Sequence, residues 1–203
     1  MNIEISDIRK ENFNIARKFS IEGMHLNWYA TSKVELFFYS KYFWYLEITK
    51  ATKAIGAYMG NKLVGVLLAD MRNETKIHKS FLGKLYVKII NFIISVFYKD
   101  ASNTYDGANS KMLKAFSEKF CPDGEINFFA VDPAMKGNGI GSLLLDELVK
   151  LERGKLIYLF TDSGSTYQFY LHRGFVESGK TNITLDINRE EVPLTCLLYS
   201  KRL

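Results

Sequence analysis

Apolar residues follow two different periods along the first 70 residues of the chain. Within 8–29 they recur at roughly helical intervals, which predicts one or two amphipathic helices. The aromatic residues of 37–46 are not densely interleaved with basic ones, so we expect packed core or a pocket wall here and not a base-stacking surface. Two extended runs, 53–59 and 63–69, are separated by Gly60-Asn61-Lys62, which predicts a β-hairpin.

From residue 125 onward the pattern alternates between strand and helix. A strand is predicted at 125–131, and a glycine-rich turn and a helix at 142–151 follow it. Next come an apolar run at 156–160, a helix-sized segment at 163–172, and β-like runs at 175–176 and 194–199. This order predicts a mixed α/β or α+β fold.

Residues 72–122 depart from the sheet pattern and are interpreted as an insertion. Its middle, 81–98, is nearly all apolar, and the polar members lie along one narrow stripe of an α-helix, with spacings of four, three and four: Lys84, Lys88, Asn91 and Ser95. Two lysines within about 18 residues make a poor transmembrane helix. We therefore expect burial against the protein or against a second copy in a homodimer, with a membrane-surface position as the alternative.

Composition and charge limit the kinds of function that this protein could have. The chain has 203 residues, which suits a single domain over 1–203, and its 47% hydrophobic and 24% charged residues are ordinary for a folded globular protein. The net charge of +5 is spread without a dense basic block, so nucleic-acid binding is not expected. A phosphorylated ligand, or simply a slightly basic surface, would account for the excess.

Cysteine and histidine are too few and too scattered for a disulfide framework or a metal site. The cysteines are Cys121 and Cys196, and the histidines are His25, His78 and His172. The first seven residues carry acidic side chains and no long apolar run, unlike a secretory signal. We therefore expect a cytoplasmic protein that uses no catalytic metal.

A glycine-rich turn joins the strand at 125–131 to the helix at 142–151. Gly137, Gly139 and Gly141 would let the backbone approach an anion beside the unpaired amides at the helix start, and Lys136 would add a cation. A Rossmann fingerprint, with its glycines after the first strand of a parallel unit, fits poorly, and so does a Walker loop, which ends in Gly-Lys-Ser/Thr. The turn predicts a phosphate site, with a merely tight connection as the alternative.

Two runs of the sequence are informative together: Lys136-Gly137-Asn138-Gly139-Ile140-Gly141 and Phe169-Tyr170-Leu171-His172-Arg173-Gly174-Phe175. They resemble two motifs of the GNAT superfamily of acyl-CoA-dependent N-acetyltransferases. The first matches the family's cofactor turn Arg/Gln-x-x-Gly-x-Gly/Ala except for lysine at the first place, and the second matches its Phe-Tyr-x-x-x-Gly-Phe pattern. The resemblance implies an α/β fold with a mixed, largely antiparallel sheet and flanking helices, to which this chain adds the inserted apolar helix.

The resemblance also implies acetyl-CoA as the cosubstrate. Backbone groups of Phe129 and Val131 would bind the pantetheine arm and the acyl carbonyl, and Thr166 stands where a related polar residue often meets the cofactor. The pyrophosphate would lie on the turn and helix start, formed by Lys136, Gly137, Asn138, Gly139, Ile140, Gly141 and Ser142. Ser163 departs from the family, which often has asparagine there.

Two residues carry catalytic roles by the resemblance. Tyr170 would be the general acid toward the departing CoA thiolate, a suitable role for a phenol with an ordinary pKa near ~10. Glu125 opens a Glu-Ile-x-Phe-x-Ala run like that of the histone-acetyltransferase branch, in which the glutamate is the general base. A solvated charge at the strand end is the alternative for Glu125, and Asp162 and His172 are weaker candidates.

The implied function is direct transfer of an acetyl group from acetyl-CoA to an acceptor amine on a small molecule or a peptide. A Ser/His/Asp hydrolase is disfavoured because Asp162-Ser163-Gly164-Ser165 lacks the leading glycine of a nucleophile elbow. The alternative from a different class is a noncatalytic CoA-sensing or membrane-surface binding module. It is motivated by the lysine in the turn and by the apolar helix.

Overall fold

The computed structural model describes residues 2–24, 26–30, 32–97, 99–187 and 190–203, and within them all side chains except those of 28–29, 93–97, 99–103, 186–187 and 190. His25, Tyr98 and the Ser95 side chain, which were considered in the sequence, lie outside this description. Within the described residues the α-helices are α1 (Phe13–Gly23), α2 (Lys33–Lys50), α3 (Phe81–Phe97), α4 (Lys99–Ser117), α5 (Ile140–Leu151) and α6 (Gln168–His172). The strands are β1 (Glu4–Asp7), β2 (Lys53–Met59), β3 (Lys62–Met71), β4 (Gly124–Val131), β5 (Leu156–Asp162), β6 (Val176–Ile187) and β7 (Glu190–Arg202).

The strands form a seven-stranded sheet in the order β1-β2-β3-β4-β5-β7-β6. β4 and β5 pair in parallel at Gly124↔Ile157 and Glu125↔Tyr158, whereas the pairs β1–β2, β2–β3, β5–β7 and β6–β7 are antiparallel. The prediction of an α/β fold with a mixed, largely antiparallel sheet and flanking helices is confirmed.

The chain divides into two compact units, Met1–Val87 with Ile126–Arg153 and Lys88–Glu125 with Gly154–Leu203. In the first unit, α1 contacts α2, and both contact β3. Trp44 and Ile48 from α2 pack in one buried cluster with Tyr58 and Phe128. Ser32 caps α2 by accepting a hydrogen bond from the backbone N–H of Glu35 at 3.1 Å.

Helix α5 packs against β2 and β3 in the first unit. A Cβ at Gly65 would lie 2.9 Å from both Ile140 Cγ2 and Leu144 Cδ1, so a side chain there would push the helix away from the strand. This close approach fixes the position of the start of α5, which directly follows the glycine-rich turn.

The second unit is built on the long β6–β7 hairpin and on β5. Helix α4 lies against β6 and β7, and its Ala108, Met112 and Phe116 pack with Cys196 and Leu198. The segments at 175–176 and 194–199, which the sequence suggested as short β-like runs, are parts of these two longer strands.

Several element boundaries differ from the sequence expectations. The helix expected at 163–172 is shorter, Gln168–His172, because Asp162 and its neighbours form a turn instead: Gly164 N–H donates to Asp162 Oδ1 at 2.9 Å. The insertion holds α4 in addition to the expected apolar helix. The aromatic segment of α2 is core only in part, since Tyr42 and Trp44 are buried but Phe37 and Phe38 are each 48% exposed.

Helix α3 forms as predicted, at Phe81–Phe97, but one of its faces is not buried within the chain, and burial of that face against a second copy stays a prediction. Gly83 and Tyr86 face α2, where the Tyr86 hydroxyl donates to Phe38 O at 3.0 Å and the Tyr45 and Tyr86 rings are 6.1 Å apart. The large apolar side chains on another side of the helix are exposed: Phe81, Leu82, Leu85, Ile89 and Phe92.

Candidate active site

The glycine-rich turn has an open, left-handed backbone. Gly137 and Gly139 have φ of 84° and 74°, values that residues with side chains adopt only at a cost. A Cβ added at either glycine would meet no atom within 4 Å. The glycines are therefore required by backbone conformation, and the space above them is free for a ligand.

The start of α5 supplies the donors that face this turn. Gly139 is the N-cap and makes no side-chain cap hydrogen bond, and Leu143 N–H is bonded to Gly139 O at 3.1 Å. The amides of Ile140, Gly141 and Ser142 precede the first intrahelical donor, so helix geometry leaves them available to an anion at the positive end of the dipole. Lys136 is exposed beside them.

The turn is anchored at Asp132, which follows β4. Asp132 Oδ1 accepts from Ala134 N–H at 3.1 Å, and Lys62 Nζ donates to Asp132 Oδ2 at 2.8 Å. Asp132 N–H donates to Val64 O at 2.8 Å. The hydrogen bond from Lys62 lowers the pKa of the Asp132 carboxyl, so the anchor is ionised at neutral pH.

The other predicted cofactor residues occupy partly or fully exposed positions. Phe129 and Val131 alternate along β4 with the buried Phe128 and Ala130, and both are partly accessible. Thr166 is exposed in the turn before α6. The turn residues, the start of α5 and the end of β4 thus lie together in the first unit, and Thr166 belongs to the second.

Glu125 opens β4 opposite Tyr158 of β5. The Tyr158 hydroxyl donates to Glu125 Oε2 at 3.1 Å, and both side chains are partly buried. Glu125 is therefore held in place by a phenol and is not simply a mobile charge at a strand end. A carboxylate with one such bond retains lone pairs with which to accept another proton.

Tyr170 lies on α6 within an aromatic cluster. Its ring centroid is 5.4 Å from that of Phe169, 5.6 Å from that of Phe175 and 6.3 Å from that of Tyr199. The side chain is partly buried, and burial raises the pKa of its phenol well above the ordinary value. Tyr170 therefore carries its proton at neutral pH, and the raised pKa also makes its phenol a weaker acid than an exposed tyrosine.

Three further positions were considered in the sequence, and two of them make contacts that explain them structurally. Asp162 Oδ2 accepts from the Tyr105 hydroxyl at 2.9 Å, which ties β5 to α4. Ser163, where the family often has asparagine, accepts at Oγ from Thr195 N–H at 3.1 Å and so links β5 to β7. His172 is exposed at the end of α6.

The sequence analysis missed a polar pair between α2 and β4. Glu47 is only 7% exposed, and its Oε2 accepts from Asn127 Nδ2 at 2.7 Å, while Glu47 O accepts from the same amide at 3.0 Å. Burial raises the pKa of the Glu47 carboxyl. A glutamate that follows the aromatic run of α2 and an asparagine inside an apolar strand were the signals that could have singled out this pair.

Neither a metal-ligand cluster nor a membrane-spanning helix is found among the described residues. No group of three or more histidine, cysteine or acidic side chains within that part of the chain could hold a metal ion. Among the described helices, none combines the length and the apolar character that crossing a membrane requires.

Comparisons with known proteins agree with this geometry. Residues 103–177 match the model of the acetyltransferase (GNAT) domain. The amino-acid acetyltransferase of Mycobacterium tuberculosis is 38% identical over 65 residues, which are 32% of this chain and 37% of that protein. The match therefore spans well under half of the relative's length.

Solved structures resemble the whole chain in fold. PH1933 from Pyrococcus horikoshii superposes with a TM-score of 0.60 at 19% identity, over 100% of this chain and 99% of that one. NAA60 of Arabidopsis thaliana, solved in complex with a bisubstrate analogue, superposes with a TM-score of 0.58 at 13% identity, over 98% of this chain and 97% of that one. At these identities the similarity establishes the fold alone. With the domain match at 103–177, it confirms the resemblance of this chain to the GNAT superfamily.

Proposed function

We propose that this protein transfers an acetyl group from acetyl-CoA directly to an acceptor amine. The observation that carries the proposal is the open turn at Gly137 and Gly139, which leads into the donor end of α5 with free space above both glycines. An anion such as the CoA pyrophosphate is the ligand that this arrangement suits best. The cofactor residues would be Lys136 to Ser142, the backbone of Phe129 and Val131, and Thr166.

The proposed reaction balances without a metal or a redox partner. The lone pair of the amine attacks the acetyl carbonyl carbon, an N–C bond forms and the C–S bond to CoA breaks. The amine loses one proton to a base, and the departing thiolate takes one from an acid. The products are the acetylated amine and free CoA.

We assign the acid to Tyr170 and the base to Glu125. Tyr170 carries its proton at neutral pH, but burial raises its pKa and so makes the phenol a weaker acid; the assignment therefore rests on its place in the Phe169–Phe175 motif. Glu125 is positioned by Tyr158 and retains acceptor capacity for the amine proton, directly or through water. A small-molecule or peptide amine is the proposed acceptor class, since the matched relative is an amino-acid acetyltransferase and an Escherichia coli structural neighbour is a ribosomal-protein-S18-alanine N-acetyltransferase. We also propose a cytoplasmic location, in keeping with the reduced thiols of Cys121 and Cys196.

The test is acetyl-CoA turnover with a panel of amines, followed by variants at the two catalytic positions. Tyr170→Phe should keep acetyl-CoA affinity and lower kcat by roughly 10²- to 10⁴-fold, the usual contribution of a positioned proton donor. Tyr167→Phe, three residues earlier, is the matched control and should leave kcat unchanged. Equal kcat for both variants and the parent would remove Tyr170 from the mechanism.

The base is tested by a second pair of variants. Glu125→Gln keeps an acceptor for the Tyr158 hydroxyl but removes the carboxylate, so it should abolish the low-pH limb of the kcat/KM profile. Tyr158→Phe removes the hydrogen bond and leaves the carboxylate, so that limb should remain, shifted in pH. If Glu125→Gln retains the parent's profile, Glu125 is only a strand-end charge.

A further inference from the structure

Helix α3 exposes an apolar stripe that its packing does not explain. Phe81 and Leu82 are 79% and 75% exposed, and Leu85 and Ile89 follow at 43% and 49%. Residues 81, 85 and 89 are four apart, so they lie above one another on one side of the helix. The stripe therefore continues over at least two helical turns, unlike the scattered exposed apolar residues of an ordinary surface.

The remaining circumference of α3 is divided between protein contact and lysine. Gly83 and Tyr86 face α2, where Tyr86 also lies under Lys41, with the ammonium 5.0 Å from the ring centroid. Lys84 and Lys88 are exposed and lie on the side of the apolar stripe that is away from α2. The circumference of α3 is thus divided into three sectors. One packs against α2, one carries the exposed apolar stripe, and one carries Lys84 and Lys88.

The charges that the sequence places on and beside α3 have one sign. Between Glu74 and Asp100 the sequence contains five lysines and no acidic residue. Lys76 is paired with Asp70, and Lys84 and Lys88 are exposed lysines on α3 itself. An acid-free, lysine-flanked apolar helix face is complementary to an anionic surface with an apolar interior.

We infer that the exposed face of α3 docks on an anionic phospholipid surface, with the apolar stripe in the headgroup boundary and Lys84 and Lys88 on lipid phosphates and carboxylates. Tyr86 and Gly83 would keep the helix attached to α2 while the stripe enters the lipid. Such binding would bring the protein to the membrane without a spanning segment. It does not depend on the proposed acetyl transfer, because no residue of that site takes part.

The experiment is co-sedimentation of the full chain with phosphatidylcholine vesicles, with and without phosphatidylserine, at low and high salt. The parent should bind the vesicles that contain phosphatidylserine and bind pure phosphatidylcholine weakly. Lys84→Gln with Lys88→Gln should weaken binding to the anionic vesicles by about fivefold per lysine and reduce the salt dependence. Phe81→Glu with Leu85→Glu should abolish binding to both kinds of vesicle.

Val176→Glu is the matched control, because Val176 is an exposed apolar residue on β6 and not on α3. It should leave vesicle binding unchanged, and circular dichroism should show that every variant is folded. Failure of the parent to bind either kind of vesicle, or binding that survives the Phe81→Glu/Leu85→Glu change, would overturn the inference. A concentration-dependent doubling of mass that these two changes abolish, without vesicle binding, would assign the stripe to a second copy of the chain instead.

Discussion

Gly139→Trp provides the sharpest test of the cofactor turn, because the structure supplies a control with the same backbone conformation. Gly139 has φ of 74°, and Gly60, in the turn between β2 and β3, has φ of 59°. A Cβ at either position meets no atom within 4 Å. Tryptophan at either place should therefore impose a similar backbone strain, about 1–2 kcal/mol in the free energy of unfolding, without a steric clash.

The two variants should differ in acetyl-CoA binding. An indole at Gly139 would fill the approach to the amides of Ile140 and Gly141, whereas Gly60 is far along the chain from the turn. Charge-assisted hydrogen bonds contribute about 1.5–3 kcal/mol each, so the loss of two such bonds corresponds to roughly 3–6 kcal/mol. That loss raises Kd by about 10²- to 10⁴-fold.

Isothermal titration calorimetry with acetyl-CoA measures Kd, and urea unfolding measures the strain. We expect equal destabilisation of the two variants and weakened binding only for Gly139→Trp. If both variants bind acetyl-CoA like the parent, the glycines are needed for the chain path alone and the turn is not the pyrophosphate site. If both lose binding, the effect comes from destabilisation.

Three further predictions concern stability. Glu47→Gln should raise the free energy of unfolding at neutral pH. Burial raises the pKa of the Glu47 carboxyl above its ordinary value of 4.5, so the parent protein loses stability as the pH rises from that value through the native pKa. Lys53→Met should lower it by about 3 kcal/mol, measured by urea unfolding, because Lys53 Nζ pairs at 2.8 Å with Glu152, which is 2% exposed. Leu85→Glu, at 43% exposure, should change it by less than about 0.5 kcal/mol in the same assay, whereas Tyr86→Glu should destabilise the fold.

Each of these three stability predictions would be contradicted by a particular result. An unfolding free energy for Glu47→Gln that falls with pH as steeply as the parent's would show that another group causes the slope. An unchanged stability in the lysine variant would mean that the Lys53–Glu152 ion pair makes no net contribution to stability. Strong destabilisation by Leu85→Glu would restore the expectation that this side of α3 is buried.

Local signals in the sequence were enough for the hairpin, β4 and the turn into α5. Gly60-Asn61-Lys62 between two apolar runs requires a tight reversal, and the glycine-rich run at 137–141 lies between strand and helix as expected. These features depend on residues that are neighbours in sequence. The cofactor role of the turn and the acid role of Tyr170 rest on equally local motifs and stay predictions.

Contacts between distant residues could not be predicted. Glu47 and Asn127 are 80 residues apart, and no period in either segment relates them, so the pair became visible only when α2 and β4 were packed. The same holds for Tyr105 and Asp162, 57 residues apart, whose bond explains why a candidate catalytic carboxylate is tied to the insertion. Pairing between side chains that are distant in sequence depends on tertiary packing, which secondary-structure propensity does not describe.

The insertion shows a further limit of periodicity. Both of its helices are amphipathic in pattern, yet Ala108, Met112 and Phe116 of α4 are buried against β6 and β7, while Phe81 and Leu82 of α3 are exposed. A hydrophobic period identifies which side chains share a face, but it does not say whether protein, lipid or another chain covers that face. Charge is the property that separates the two helices, because α4 contains Asp100 and Asp106 among its three lysines, whereas α3 contains lysine as its only charged residue type. A face flanked by lysine alone is compatible with anionic lipid in a way that a face with carboxylates is not.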